Sequence, residues 1–147
     1  MIFISNGLLL VMAKLNKPDE NAVVEIWFNG MEIETARYAI LGCLNNNETD
    51  NAAEADAMEK KFDHKIENFE SYDGLKIGLT VKEIQSLIKL TSKETDRERK
   101  AINEYKKELS LSKGDDGEAI EKETEYSIRL VCLRELMRLN QKLGGVL

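Results

Sequence analysis

The fold is most clearly indicated by residues 80–111, TVKEIQSLIKLTSKETDRERKAINEYKKELSL, because their apolar side chains recur at helical spacing. Thr80 opens a capping box, the side-chain arrangement that begins a helix, and a second box opens at Thr91. The two boxes predict a helix, a turn and a second helix at 81–90, near 90–92 and at 93–111.

A further long helix is predicted for the C-terminal part of the chain, over about 118–143, after the breaker-rich loop at 112–118. Its apolar residues follow two stripes, which is more surface than one antiparallel neighbour covers. We therefore expect other helices of the chain, or a second copy of it, to cover the remainder. The residues predicted to form this protein interface are Tyr126, Leu130, Leu133, Leu136, Met137 and Leu139.

Upstream of residues 80–111, Asn51 and Glu54 have the same capping-box spacing and predict a helix over 51–72. The predicted fold is mainly α: a helical bundle built on the long C-terminal helix and an antiparallel helical hairpin, with a small N-terminal β-hairpin. At 147 residues, of which 42% are hydrophobic, the chain has the size of one domain. We assign that domain to residues 18–147.

The small β-hairpin, at 22–35, is one of two interpretations of the region that follows Pro18. Alternating apolar and polar residues on both sides of Asn29 and Gly30 favour the hairpin, followed by a helix over 36–44. Pro18 instead favours a helix that ends at Gly30, because proline suits the first turn of a helix. The hairpin is slightly favoured.

The N-terminal segment 1–17 is largely apolar, but its apolar run is shorter than the roughly 20 residues that a membrane span needs and has no basic region before it. We interpret it as a short hairpin or as an extension upstream of a start at Met12. Cys43 and Cys132 stand far apart in apolar surroundings, which is typical of buried thiols in a reducing compartment. These features predict a cytoplasmic protein with no membrane partner.

Motifs for catalysis and cofactor binding are missing from the sequence. It contains neither a nucleophile elbow nor a phosphate-binding loop, and its single histidine, His64, has only Glu67 at a spacing that lets two side chains share a ligand. A mononuclear metal site needs three or four donors. We therefore predict no enzyme activity, catalytic residue, cofactor, metal ion or small-molecule ligand.

The charge is unevenly distributed: the net charge is −6, but residues 76–113 carry ten basic and six acidic side chains. This basic segment resembles a helix-turn-helix motif whose second helix begins at Lys93. The resemblance implies an alternative function as a nucleic-acid-binding regulator, with contacts from Lys93, Arg97, Arg99 and Lys100. The acidic segment before it, 19–73, suggests another function, as an inhibitor that occupies the basic groove of a nucleic-acid-binding protein.

The apolar stripes of the C-terminal helix are stronger evidence for protein binding than the charge pattern is for nucleic-acid binding, because basic and acidic side chains are interleaved over 76–113. The sequence therefore favours a non-enzymatic protein-interaction or assembly module of an accessory or regulatory kind. We expect it to oligomerise through the C-terminal helix.

Overall fold

A computed structural model describes residues 19–66, 74–111 and 116–147. The elements in chain order are β1 (Val23–Phe28), α1 (Gly30–Asn45), α2 (Ala52–Ile66), β2 (Leu75–Thr80), α3 (Val81–Leu111) and α4 (Asp116–Val146). The predicted mainly α fold is confirmed, with α3 and α4 as the two longest helices and with one antiparallel pair of strands. The predicted elements at 1–17, residues 67–72 of the predicted helix over 51–72 and residues 112–115 of the predicted loop at 112–118 lie outside the described residues, and α4 begins at Asp116, before the predicted end of that loop.

The hairpin predicted at 22–35 is right for its first strand and wrong for its second. Residues 23–28 form β1, but β1 pairs with β2, so that Val23 lies opposite Thr80. Asn29 does not turn the chain back, because its side chain caps α1 by accepting a hydrogen bond from the backbone N–H of Glu32 at 2.8 Å. The backbone N–H of Asn29 in turn donates to the Glu32 carboxylate at 2.9 Å, which completes a capping box that begins the helix at Gly30.

The turn predicted near 90–92 is also wrong, because α3 continues through it without interruption. Thr91 does not cap a new helix: its hydroxyl donates to the carbonyl of Ile88 at 2.9 Å and also accepts from the Asn140 amide of α4 at 2.8 Å. The threonine that looks like a helix start is thus a buried contact between two long helices. At the other end of the pair, α4 continues past Gly144 and Gly145 to Val146.

The hydrophobic core lies between the strand pair, α1, α2, the first half of α3 and the C-terminal end of α4. Phe28 and Phe62 pack edge to face at its centre, with ring centroids 5.3 Å apart. The α4 residues in this core cluster are Leu139 and Leu143. The remaining core residues are Ile26, Ile33, Ala36, Ile40, Cys43, Ala55, Met58, Ile77, Leu79, Ile84, Leu87 and Leu90. The long C-terminal helix therefore joins the core through one end.

The capping box predicted at the start of α3 is confirmed. The backbone N–H of Glu83 donates to the Thr80 hydroxyl at 3.0 Å, and the backbone N–H of Thr80 donates to the Glu83 carboxylate at 2.9 Å. Lys61 of α2 also donates to this carboxylate, at 2.7 Å. Burial raises the pKa of Glu83, but the hydrogen bonds from Lys61 and Thr80 outweigh it and hold the pKa below its ordinary value.

We expect Glu83→Gln to lower the free energy of unfolding by about 1 kcal/mol at pH 7, as the loss of a helix cap does. Because the pKa is lower in the folded chain, the charged carboxylate stabilises the fold above the ordinary value of 4.5 and this contribution is lost as the pH falls through the folded pKa. Urea unfolding at several pH values should therefore show the difference from wild type shrinking in acid. Glu104→Gln, at an exposed position of the same helix, is the control, and a difference independent of pH would contradict the assignment.

Candidate functional site

The six residues predicted as a protein interface on α4 do not share one surface. Leu136 and Leu139 are fully buried within the chain, and Tyr126 and Leu133 are half-buried. Leu130 is exposed, and so is Met137, which faces α3, where its sulfur lies 3.8 Å from the Arg99 guanidinium. Leu136 and Leu139 are therefore unavailable to a partner, because α4 turns this stripe toward the rest of the chain.

The exposed apolar residues instead lie where α1 and α4 run side by side. Met31 and Tyr38 of α1 are 50% and 44% exposed, and Ile128 and Val131 of α4 are 57% and 46% exposed. On α1, Leu41 continues the same face, since 31, 38 and 41 follow helical spacing. The α1 residues were not predicted as one face, because Met31 was assigned to a strand at 31–35 while Tyr38 and Leu41 were assigned to a separate helix at 36–44.

Three of these side chains, Met31, Tyr38 and Val131, line a groove of about 210 Å³, which we call the α1–α4 groove. Its lining residues are Met31, Glu34, Thr35 and Tyr38 from α1 and Val131, Cys132, Glu135 and Leu136 from α4. The lining is mainly apolar, with carboxylates from both helices. Aromatic and methionine side chains beside an apolar concavity are typical of protein-binding surfaces.

Tyr38 is held in the groove by a buried carboxylate. Its hydroxyl donates to Glu98 of α3 at 2.6 Å, and Glu98 is only 1% exposed. Arg129 of α4 donates to the same carboxylate at 3.2 and 3.3 Å and lies over the ring of Tyr105, 5.3 Å from its centroid. Burial, followed by the hydrogen bond to Glu98, raises the pKa of Tyr38. The tyrosine therefore stays neutral, with its hydroxyl fixed and its ring accessible.

One turn before Glu98, a second buried carboxylate, Glu94, lies where α3 packs against α1. Glu94 is paired with Arg97 of the same helix, which also contacts Glu48 beyond the end of α1. Gly42 makes this close packing possible, because a Cβ at that position would lie 2.5 Å from a Glu94 carboxylate oxygen. Burial raises the pKa of Glu94 despite the opposing effect of Arg97. In the described part of the chain no buried side-chain polar atom lacks a hydrogen bond.

The thiols are not activated nucleophiles. Cys132 is half-buried in the groove, and its pKa is raised by burial and then by Glu98. Cys43 is fully buried, and burial likewise raises the pKa of its thiol. A reactive cysteine needs a lowered pKa, so these two remain protonated at neutral pH. Among the residues with described side chains, no group of three or more histidine, cysteine and carboxylate side chains is placed to hold a metal, and the His64 and Glu67 pair lies outside them.

The four residues predicted to contact nucleic acid lie on α3 without forming a free basic face. Lys93 donates to the backbone carbonyl of Glu48, and Arg97 is paired with acidic neighbours. Arg99 and Lys100 are exposed. Because α3 is one unbroken helix, the turn and second helix that the helix-turn-helix resemblance requires are absent from 81–111.

Within residues 19–66, 74–111 and 116–147, no helix is long and apolar enough to cross a membrane. Comparisons of the chain with models of protein families, with curated proteins and with solved structures give no match.

Proposed function

We propose that this chain is a non-enzymatic protein-binding module that binds its partner through the α1–α4 groove. The observation that carries the proposal is that the exposed apolar side chains of Met31, Tyr38 and Val131 line this groove, and that Leu41 and Ile128 extend the same faces of α1 and α4. Scattered exposed apolar residues are ordinary, whereas a contiguous apolar surface beside a concavity marks a place where another molecule binds.

The anchoring of Tyr38 supports the proposal. A binding residue contributes most when its side chain is already held in the bound conformation, because less freedom is lost on association. The hydrogen bond from Tyr38 to Glu98 fixes the ring beside the groove before a partner arrives.

An enzymatic role has less support, because Glu94 and Glu98 are occupied by arginines and both thiols have a raised pKa. The proposal includes an accessory or regulatory role in a reducing compartment, the cytoplasm. Burial of the unpaired Cys43 thiol fits that compartment.

Photo-crosslinking tests the proposal. A benzophenone amino acid at position 131, in cells that express the full chain natively, should give a discrete crosslinked protein on irradiation, because Val131 borders the groove. The matched control is the same amino acid in place of Lys60, which is exposed on α2 and does not line the groove. No product from position 131, or the same products from both positions, would contradict the proposal.

A further inference from the structure

We infer that the partner in the α1–α4 groove is a second copy of this chain, related by a two-fold axis that runs parallel to α1 and α4. In this arrangement, α1 of each copy packs against α4 of the other. The inference rests on the proposed function and adds the identity of the partner and the direction of the axis.

The first observation is that exposed charges of opposite sign flank the groove on its two helices. Glu34 of α1 is exposed and forms no ion pair with the described part of the chain. On α4, Arg134 and Arg138 follow Val131 by three and seven residues and lie on its side of the helix, whereas Glu135, which lines the groove itself, is acidic. Arg134 is exposed without an ion pair to described residues, and Arg138 is 67% exposed and reaches Glu135 at 3.3 Å.

The second observation is that these charges lie along the same part of the helix pair. Glu32 near the start of α1 bonds to Lys142 near the end of α4 at 2.9 Å, and further along, Tyr38 and Arg129 share the Glu98 carboxylate. The two helices therefore run antiparallel, and the stretch of α1 that holds Glu34 runs beside the stretch of α4 that holds Arg134 and Arg138.

A two-fold axis along the groove exchanges its walls and preserves height. It therefore places Glu34 of one copy against the stretch of α4 in the partner subunit that holds its two exposed arginines, and symmetry repeats this contact at the other wall. An axis perpendicular to the helices would instead set the acidic α1 wall against itself. Opposite charges attract and like charges across an interface disfavour association, so the charge pattern selects the axis parallel to the helices.

The apolar residues are also arranged for self-association. In the proposed dimer, Met31 and Tyr38 of one copy cover Val131 of the partner subunit, and the reverse contacts form by symmetry. Each of these contacts therefore occurs twice. The same small surface of both copies forms the whole interface, which is what an isologous interface is. Because the surface is modest, we expect a dimer that dissociates on dilution.

A charge-swap series on the purified full chain tests the inference. Sedimentation over about 1 to 200 µM should show the wild-type mass rising to twice 16.7 kDa. Glu34→Arg and Arg138→Glu should each weaken the dimer at least about tenfold, and the two changes together should restore most of the loss. Lys60→Glu, at an exposed position outside the groove, should leave association unchanged. Circular dichroism of each variant checks that it is folded, as expected for surface changes.

A wild-type chain that stays monomeric throughout, single variants without effect, or a double variant no better than the single ones would overturn the inference. Crosslinking then maps the axis: a benzophenone at position 31 should attach to α4 of the second copy, and attachment to α1 would overturn the proposed axis. If position 131 crosslinks only to a different protein, the self-association inference fails while the proposed function stands. If position 131 gives no product, both fail.

Discussion

Glu98→Ala should lower the free energy of unfolding by about 3 kcal/mol, because it removes a buried acceptor shared by two hydrogen-bonding groups. Tyr38 and Arg129 both donate to this carboxylate, which is 1% exposed at the meeting point of α1, α3 and α4. Breaking a buried ion pair by removing one partner leaves the other charge uncompensated and typically costs about 3 to 5 kcal/mol. We take the lower value because Arg129 is partly exposed. Urea unfolding followed by circular dichroism measures the change.

The control for this substitution is Glu104→Ala, which removes an exposed carboxylate from the same helix and should change the stability by less than about 0.5 kcal/mol. In addition, Glu98→Ala combined with Arg129→Ala should cost less than the sum of the two single changes, because the second change removes the unpaired charge. Equal effects of Glu98→Ala and Glu104→Ala would show that the buried carboxylate does not hold the three helices together.

Local rules predicted the elements whose signals lie within a few residues. The capping boxes at Asn51 and Thr80 marked the starts of α2 and α3, because a capping box satisfies the first free amide groups of a helix wherever the chain goes next. The same rule was wrong at Thr91, where the hydroxyl bonds within the helix and α4 packs against it. Packing between α3 and α4 determines the structure at Thr91, and the spacing of residues in the sequence does not show which helix will pack there.

At Asn29 and Gly30 the local prediction was again wrong, because a distant part of the chain determines the structure there. This dipeptide favours a tight hairpin turn, but asparagine is equally suited to cap a helix. The choice depends on which strand pairs with β1, and that partner, β2, comes after two helices. Because strand pairing is non-local, the residues around Asn29 could not reveal it.

The sequence predicted a binding surface on α4, but four of the six predicted residues are buried or half-buried within the chain. The two apolar stripes of α4 indicated a surface that one neighbour does not cover, and Leu130 and Val131 are indeed exposed. The stripes did not distinguish the face that packs inside the chain, with Leu136 and Leu139, from the face left open. The opposite wall was missed altogether, although Met31 and Tyr38 are seven residues apart, a spacing that places two residues on one face of a helix.

Glycine is required immediately before β2 for two reasons, the backbone conformation and the close neighbouring atoms. Gly74 has a φ of +125°, a region that side-chain-bearing residues rarely adopt. A Cβ there would lie 2.2 Å from the carbonyl oxygen of Phe28 and 2.7 Å from the ring of Trp27. Both neighbours are in β1, so an added methyl group would push apart the strands where Phe28 pairs with Leu75.

Gly74→Ala should therefore lower the free energy of unfolding by about 3 kcal/mol, since backbone strain and overpacking each cost about 1 to 3 kcal/mol. Thermal unfolding measures the loss, with Gly144→Ala as the matched control. A Cβ at Gly144 meets nothing within 4 Å, and alanine favours the helix there, so this variant should be up to about 1 kcal/mol more stable than wild type. A Gly74→Ala variant as stable as wild type would refute the close approach of Gly74 to β1. Opposite signs at the two glycines would show that a specific backbone contact at its end holds the β1–β2 pair together.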